Sequence, residues 1–158
     1  MMIRKKPWNR VDQPVYSISS AAEGSANMNI CTYATPVTLH PKNYVVAIYK
    51  NTRTLELVQR NPKFILQFLE KSQYRWVNLL GKKSGKETDK ISLIRDEIFF
   101  LGPYPILSRT LAYVILEVSH WIDAGDHFCA FCRVNNYKNL SNGTPLTTHF
   151  LRKKKIIS

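Results

Sequence analysis

At 158 residues, 44% hydrophobic and 22% charged, the chain has the length and composition of one folded domain with a hydrophobic core of its own. Its net charge of +12, from 23 basic and 11 acidic residues, asks for an anionic partner: nucleic acid, an anionic membrane surface or a phosphorylated small molecule. No apolar run reaches the roughly 18–20 residues of a bilayer-spanning helix, which argues against a membrane protein of that kind.

Residues 1–25 read as an N-terminal arm. Met1-Met-Ile-Arg-Lys-Lys-Pro-Trp8 has basic residues with no apolar stretch behind them, so it does not read as a secretory signal, and a cytoplasmic setting is expected. Arg4-Lys5-Lys6 and Arg152-Lys-Lys-Lys155 hold much of the excess charge and read as solvated extensions; residues 151–158 form a basic C-terminal tail. Val15–Ser19 predicts a short edge strand and 21–25 a small-residue loop. The main domain, 26–150, begins with β character from Ala26 to Pro36, where the missing N–H interrupts any ladder. Turn chemistry at 40–43 leads into Tyr44–Tyr49, a dense apolar run typical of a central strand.

A helix follows, capped by Thr52 or Thr54, with Glu56 in its first turn and Asn61-Pro62 as its stop. Phe64–Leu69 predicts another strand, and Ser72 a short second helix ending at Gly81. Gly81–Lys90 is a basic, glycine-containing loop that composition alone would leave solvated. Residues 91–107 are proline-punctuated and read as irregular. Leu111–Ile122, a turn at 123–126 and His127–Val134 predict a hairpin, 135–143 a polar loop, and Pro145–Phe150 a final edge segment. About six strands with two or three short helices make a mainly β barrel or sandwich.

The usual catalytic signatures are absent. Gly81-Lys82 lacks the glycine and the Ser or Thr of a P-loop, and the six glycines are too scattered for a dinucleotide fingerprint. No serine sits in a nucleophile elbow. His40, His120, His127 and His149 have no metal-ligand spacing, so no metal is expected. Cys129-Ala-Phe-Cys132 matches C-x-x-C but lies in a β-rich run, where residues three apart face opposite ways. With three cysteines in all, a reducing compartment and buried thiols are the expectation.

What the chain does offer is a phosphate site. From Asn29 to Thr54, hydroxyl and amide side chains stand where strands end and a helix begins, with Lys50 and Arg53 supplying positive charge. Within this frame four stretches resemble the flavin reductase-like, FMN-binding split-barrel family. Asn29-Ile-Cys-Thr32 is similar to its N-x-M-T stretch, with Cys31 for Met. Lys50–Thr54 resembles the next segment, where a Ser or Thr opens a helix. Lys83-Ser-Gly-Lys-Glu-Thr-Asp-Lys90 matches its K-S-G-x-x-x-D-K loop at every fixed position. Gly125-Asp-His127 with Val134 is similar to its G-D-H hairpin, preceded by the acidic Glu117. The likeness covers roughly residues 26–135, in the family's order. Cys132 stands where that family usually has Gly, Val118 where it often has Cys, and the loop from Leu101 to Ser108 is short.

The resemblance implies a six-stranded split barrel, a homodimer, and FMN near the subunit interface. By position, Asn29, Cys31 and Thr32 would border the isoalloxazine and ribityl chain. Lys50, Thr54, Ser84, Gly85 and Lys90 would approach the phosphate. His127 would lie on the ring's reactive side, the place of a catalytic group, where the nicotinamide of NADH or NADPH would stack. The function implied is a flavin reductase passing a hydride from NAD(P)H to FMN, with reduced flavin released or used by a redox partner protein. Two other readings remain open: an FMN-holding electron carrier without nicotinamide activity, and a small basic β-barrel binding nucleic acid. Against the last, the aromatics sit mainly inside apolar strands.

Overall fold

The computed structural model describes residues 4–158; Met1–Ile3, the first residues of the expected arm and of the segment read as lacking a signal, lie outside them. Among the described residues nine strands form: β1 (Tyr16–Ala22), β2 (Ser25–Met28), β3 (Ala34–Pro36), β4 (Asn43–Tyr49), β5 (Lys63–Phe68), β6 (Ile98–Leu101), β7 (Tyr104–Leu107), β8 (Ala112–Asp123) and β9 (His127–Asn139). The helices are short: α1 (Arg53–Arg60), α2 (Lys90–Leu93) and α3 (Thr148–Lys153), with helical turns at Lys71–Trp76 and Asn78–Lys82.

Seven strands make one sheet in the order β2-β1-β5-β8-β9-β4-β3, with antiparallel neighbours throughout. The two ends of that order, β2 and β3, are consecutive in the chain, and the residues between them bond to both flanks. Asn29 donates to Ile18 O (3.1 Å), Cys31 exchanges two 2.8 Å bonds with Tyr16 of β1, and Ala47 of β4 donates to Tyr33 O (2.8 Å). The sheet therefore curls until its two margins share one segment. This curl positions the site, because residues 29–33 leave the ladder where the margins meet.

The strand count is nine rather than the expected six, for two reasons. The strand expected from Ala26 to Pro36 is split into β2 and β3 by residues 29–33. Residues 91–107, read as irregular because of their prolines, hold α2 and the separate β6–β7 hairpin, in which Gly102 takes the positive φ (57°) of its two-residue turn. Strand β1 is also no edge: it lies between β2 and β5 and is buried almost throughout. Its small residues Ser17, Ser19 and Ser20 allow both faces to be covered.

One core fills the curl, drawing Ile18, Val46, Ile48, Phe64, Leu66, Leu116 and Cys132 from the strands and Leu55 and Val58 from α1. The burial of Cys132 agrees with a core role for the C-x-x-C run; Cys129 is half-buried on the other side of the strand. A second core lies outside the sheet, where Val15, Met28, Leu69, Leu80, Ile94, Leu146 and Leu151 meet. The expected edge segment at 145–150 holds at its start, where Pro145 and Thr147 form isolated bridges with Glu70 and Pro14, and gives way to α3 from Thr148, with Thr147 accepting a bond from Phe150 N–H (3.4 Å). Within 151–158, Lys153, Lys154 and Lys155 are exposed, while Leu151 is only 2% exposed and Ile156 and Ile157 pack on the same core. No helix among the described residues is long and apolar enough to cross a membrane.

Candidate functional site

A cleft of about 500 Å³ opens where residues 29–33, the α1 N-terminus and the 80–90 loop converge. Of the residues expected at the site, Asn29, Cys31, Thr32, Thr54, Ser84, Gly85, Lys90 and His127 all line it. Each is positioned by a local cause. Asn29 Oδ1 accepts from Ile18 N–H (3.2 Å), which pins residues 29–33 as they leave the sheet. Thr52 caps α1, its Oγ1 accepting from Leu55 N–H (3.2 Å), so the cap is Thr52 and not Thr54. Thr54 is buried, and its hydroxyl accepts from Asn27 Nδ2 (3.3 Å). The amides of the first α1 turn have no intrahelical acceptor and face an anion favourably.

The loop from Ser84 turns on itself: Ser84 O accepts from Thr88 N–H (2.9 Å) and Ser84 Oγ from Lys86 N–H (3.2 Å). Asp89 then caps α2 through Ser92 N–H (3.3 Å), which turns Lys90 inward. Lys90 is 3% exposed and its Nζ donates to Leu80 O at 2.9 Å. An ammonium has three N–H donors, and this is the one bond it makes among the described residues. Burial pushes its pKa down to about 8. At the other end of the cleft, His127 Nδ1 lies 2.8 Å from Asp126 Oδ1, and its ring sits between those of Tyr33 (5.5 Å) and Tyr49 (5.3 Å). The bond from His127 holds the Asp126 carboxyl below its ordinary pKa. Cys31 is buried, and burial pushes its thiol up to about 12, so it borders the cleft as a neutral thiol.

Charge along the lining is one-sided: Arg53, Lys82, Lys83 and Lys90 contribute and no Asp or Glu does. Lys50 is a correction. It does not line the cleft; its Nζ pairs with Asp123 on the β8–β9 turn at 2.7 Å and lies 4.5 Å from the Phe128 ring centre. The partner holds the Asp123 carboxyl below its usual range. Gly85 also packs the loop closely onto β2. A Cβ there would overlap Asn27, with Cγ at 2.8 Å, so the missing side chain serves the contact between loop and strand. Asn27, Tyr33 and Tyr49 also line the cleft and escaped the sequence reading. Tyr49 comes beside His127 only through the register of β4 with β9, strands distant in the chain, which no local sequence signal reveals.

A curled antiparallel sheet with a cation-lined cleft beside a helix N-terminus forms a site suited to an anionic small molecule. The chain belongs to the flavin reductase like domain family, whose model matches residues 8–156. It is 25% identical over 142 residues to the high molecular weight rubredoxin of Moorella thermoacetica, covering 89% of this chain and 62% of that protein. It is 23% identical over 133 residues to diflavin flavoprotein A 1 of Synechocystis sp., covering 84% of this chain and 23% of that protein. The chain thus spans about a quarter to three-fifths of the length of these curated relatives. Among solved structures it is similar to an FMN-binding protein from Thermus thermophilus, with a TM-score of 0.77, 24% identity, and 92% of this chain and 83% of that one covered.

Proposed function

We propose that the cleft binds FMN and that the chain is an NAD(P)H-dependent flavin reductase. The observation that carries this reading is the buried Lys90 ammonium at the inner end of a cleft lined by four cationic side chains and no carboxylate. A buried cation with donors to spare is costly unless an anion completes it. A phosphate ester carries about −1.5 to −2 charges, and each charge-assisted bond to it contributes about 1.5–3 kcal/mol. Lys90, Ser84, the loop amides at Gly85 and the first turn of α1 with Thr54 would hold the phosphate. Asn29, Cys31 and Thr32 would border the ring and ribityl chain. His127 would stand at the ring end, oriented by Asp126 and flanked by two tyrosines, where a nicotinamide would approach.

When bound, the flavin supplies the redox chemistry, taking up a hydride from NADH or NADPH. The chain needs only to hold the phosphate, keep one ring face accessible and exclude water from the inner end. That fits a lining without a carboxylate, in which His127 is backed by Asp126 from outside the cleft. The burial of Lys90 in the cleft wall also favours a small molecule over a nucleic acid as the source of the anion. The exposed apolar side chains Tyr33, Tyr49 and Ile122 near the ring end support a homodimer in which a second copy covers that side. Three free cysteines support a reducing, cytoplasmic setting.

Stopped-flow mixing of the FMN-loaded protein with NADH and with NADPH tests the activity. Bleaching of the flavin absorbance by either is expected. Retention of FMN without bleaching by both, together with reduction by a protein donor, would replace the reductase with an electron carrier.

A further inference from the structure

Two basic runs far apart in the sequence meet in the fold. Thr148 N–H donates to Gln13 O (2.9 Å), and Gln13 N–H to Thr148 Oγ1 (3.0 Å). His149 N–H donates to Asp12 Oδ1 (2.8 Å), and Pro14 bridges to Thr147. Arg10 is therefore at most about 7 Å of chain from a residue bound to the start of α3. That helix is itself only about 9 Å long. Beyond its end Lys154 lies over the rings of Tyr74 (5.2 Å) and Phe150 (5.7 Å), and Lys71 lies over Phe150 (4.8 Å). Segments 4–15, 70–76 and 147–158 thus share one side of the molecule. They carry ten basic side chains and two acidic ones, so eight of the chain's twelve net charges gather there. The two carboxylates, Asp12 and Glu70, are taken up by backbone amides. Among the cations two apolar side chains stand open: Trp8 is 67% exposed and Val11 56%. None of these segments lines the cleft.

We propose that this side docks the chain on an anionic lipid surface, with the cations on lipid phosphates and Trp8 and Val11 in the headgroup boundary. Each Lys or Arg held near an anionic leaflet raises affinity by about fivefold. Tryptophan settles at the headgroup level, where its ring is half in water and half in hydrocarbon. Two observations favour lipid over another polyanion. The rings of Tyr74 and Phe150 are covered by lysine ammoniums, and Val11 has no π face, so little on this side can stack on a base. Six of the ten cations are lysines, which protein interfaces use sparingly, and consecutive flexible lysines match a fluid surface that has no fixed partner positions. Docked this way, the chain keeps its cleft free, because the segments that bind lipid do not line it.

Co-sedimentation of the purified chain with vesicles tests this, using phosphatidylcholine alone and an equal mixture of phosphatidylcholine and phosphatidylglycerol. Binding to the anionic vesicles is expected to be at least about tenfold tighter than to the neutral ones and to weaken as salt rises. A blue shift of tryptophan emission that Trp8→Phe abolishes is expected with it. Reversing Lys153, Lys154 and Lys155 together to Glu is expected to weaken binding by about a hundredfold, and so is the same change at Arg4, Lys5 and Lys6. Lys42→Glu, on the exposed turn before β4, is expected to stay within about threefold. Absence of binding to the anionic vesicles, equal binding to both compositions, or full retention by both triple variants would overturn the proposal. Tighter binding to a single-stranded oligonucleotide or to polyglutamate at the same salt would overturn it in favour of a nucleic acid or an acidic protein. FMN affinity is expected to be unchanged in both triple variants, so the outcome is separate from the reading of the cleft.

Discussion

Lys90 concentrates the physical tension of the site. Its ammonium has a folded-state pKa of about 8 against an ordinary 10.5, because burial disfavours the charge. Between those values the unfolded chain binds more protons than the folded one, so the stability of the ligand-free protein rises as pH climbs from about 8 towards 10.5. Denaturant melts at stepped pH are expected to show that rise, and Lys90→Met, which removes the buried charge, to flatten it. Flavin affinity runs the other way, falling as pH passes about 8 and the ammonium is lost. At pH 7, Lys90→Met is expected to weaken FMN by about 1–3 kcal/mol in a binding titration. Lys50 gives the contrast: its pair with Asp123 is exposed, and such pairs contribute roughly 0–1 kcal/mol. Lys50→Ala is expected to leave FMN affinity within about twofold. Both lysines were legible in the sequence as charges near a phosphate, but their different fates depend on which way the hairpin turn points Asp123. Gly85→Ala drives a Cβ into Asn27 and is expected to destabilise the fold by about 1–3 kcal/mol in thermal or denaturant melts.

At the scale of elements, the hairpin β8–β9 aims His127. A bulge between Val118 and His120 leaves Ser119 out of the ladder, its Oγ donating to Phe131 O (3.0 Å). Bulges sharpen the local twist, and this one lies just before the tip that carries Asp123 to His127. Val118 and Cys132, two positions that depart from the pattern of the resembled family, face each other in the register. They are one paired change on the inner side of the hairpin, with Cys132 fully buried and Val118 against the same core. The hairpin, α1 and β5 were readable from alternation, cap and stop residues because those signals are local. The ends of β1 and the helical fate of 148–153 were not. The burial of β1 on both faces comes from partners distant in the chain, and α3 answers to a core that no local period reveals. Thr52→Ala is expected to cost about 1 kcal/mol in chemical denaturation by uncapping α1, and to weaken flavin as the helix end frays.

Across the whole molecule, the segments taken for tails close the structure. Val15 donates to Leu146 O (2.9 Å), Thr148 to Gln13 O (2.9 Å), and Leu151 enters the core that also holds Leu80, whose carbonyl receives Lys90. Leu151→Ala is expected to lower stability by about 2–5 kcal/mol in denaturant melts and to loosen the inner end of the cleft with it. The family and most of the residues that line the cleft could be read from four short motifs in order, because a motif constrains residue type and spacing together. What escaped was closure: the sharing of residues 29–33 by both sheet margins, and the second core beneath the cleft. The account's central claim is that this cleft holds a flavin, and the most direct test is thermal unfolding of the purified protein, with its absorption spectrum, in excess FMN. A ligand at 100 times its Kd stabilises a fold by about 2.7 kcal/mol, so a rise in Tm accompanied by a protein-bound flavin spectrum is predicted. A colourless protein whose Tm does not move with excess FMN or FAD would contradict the claim.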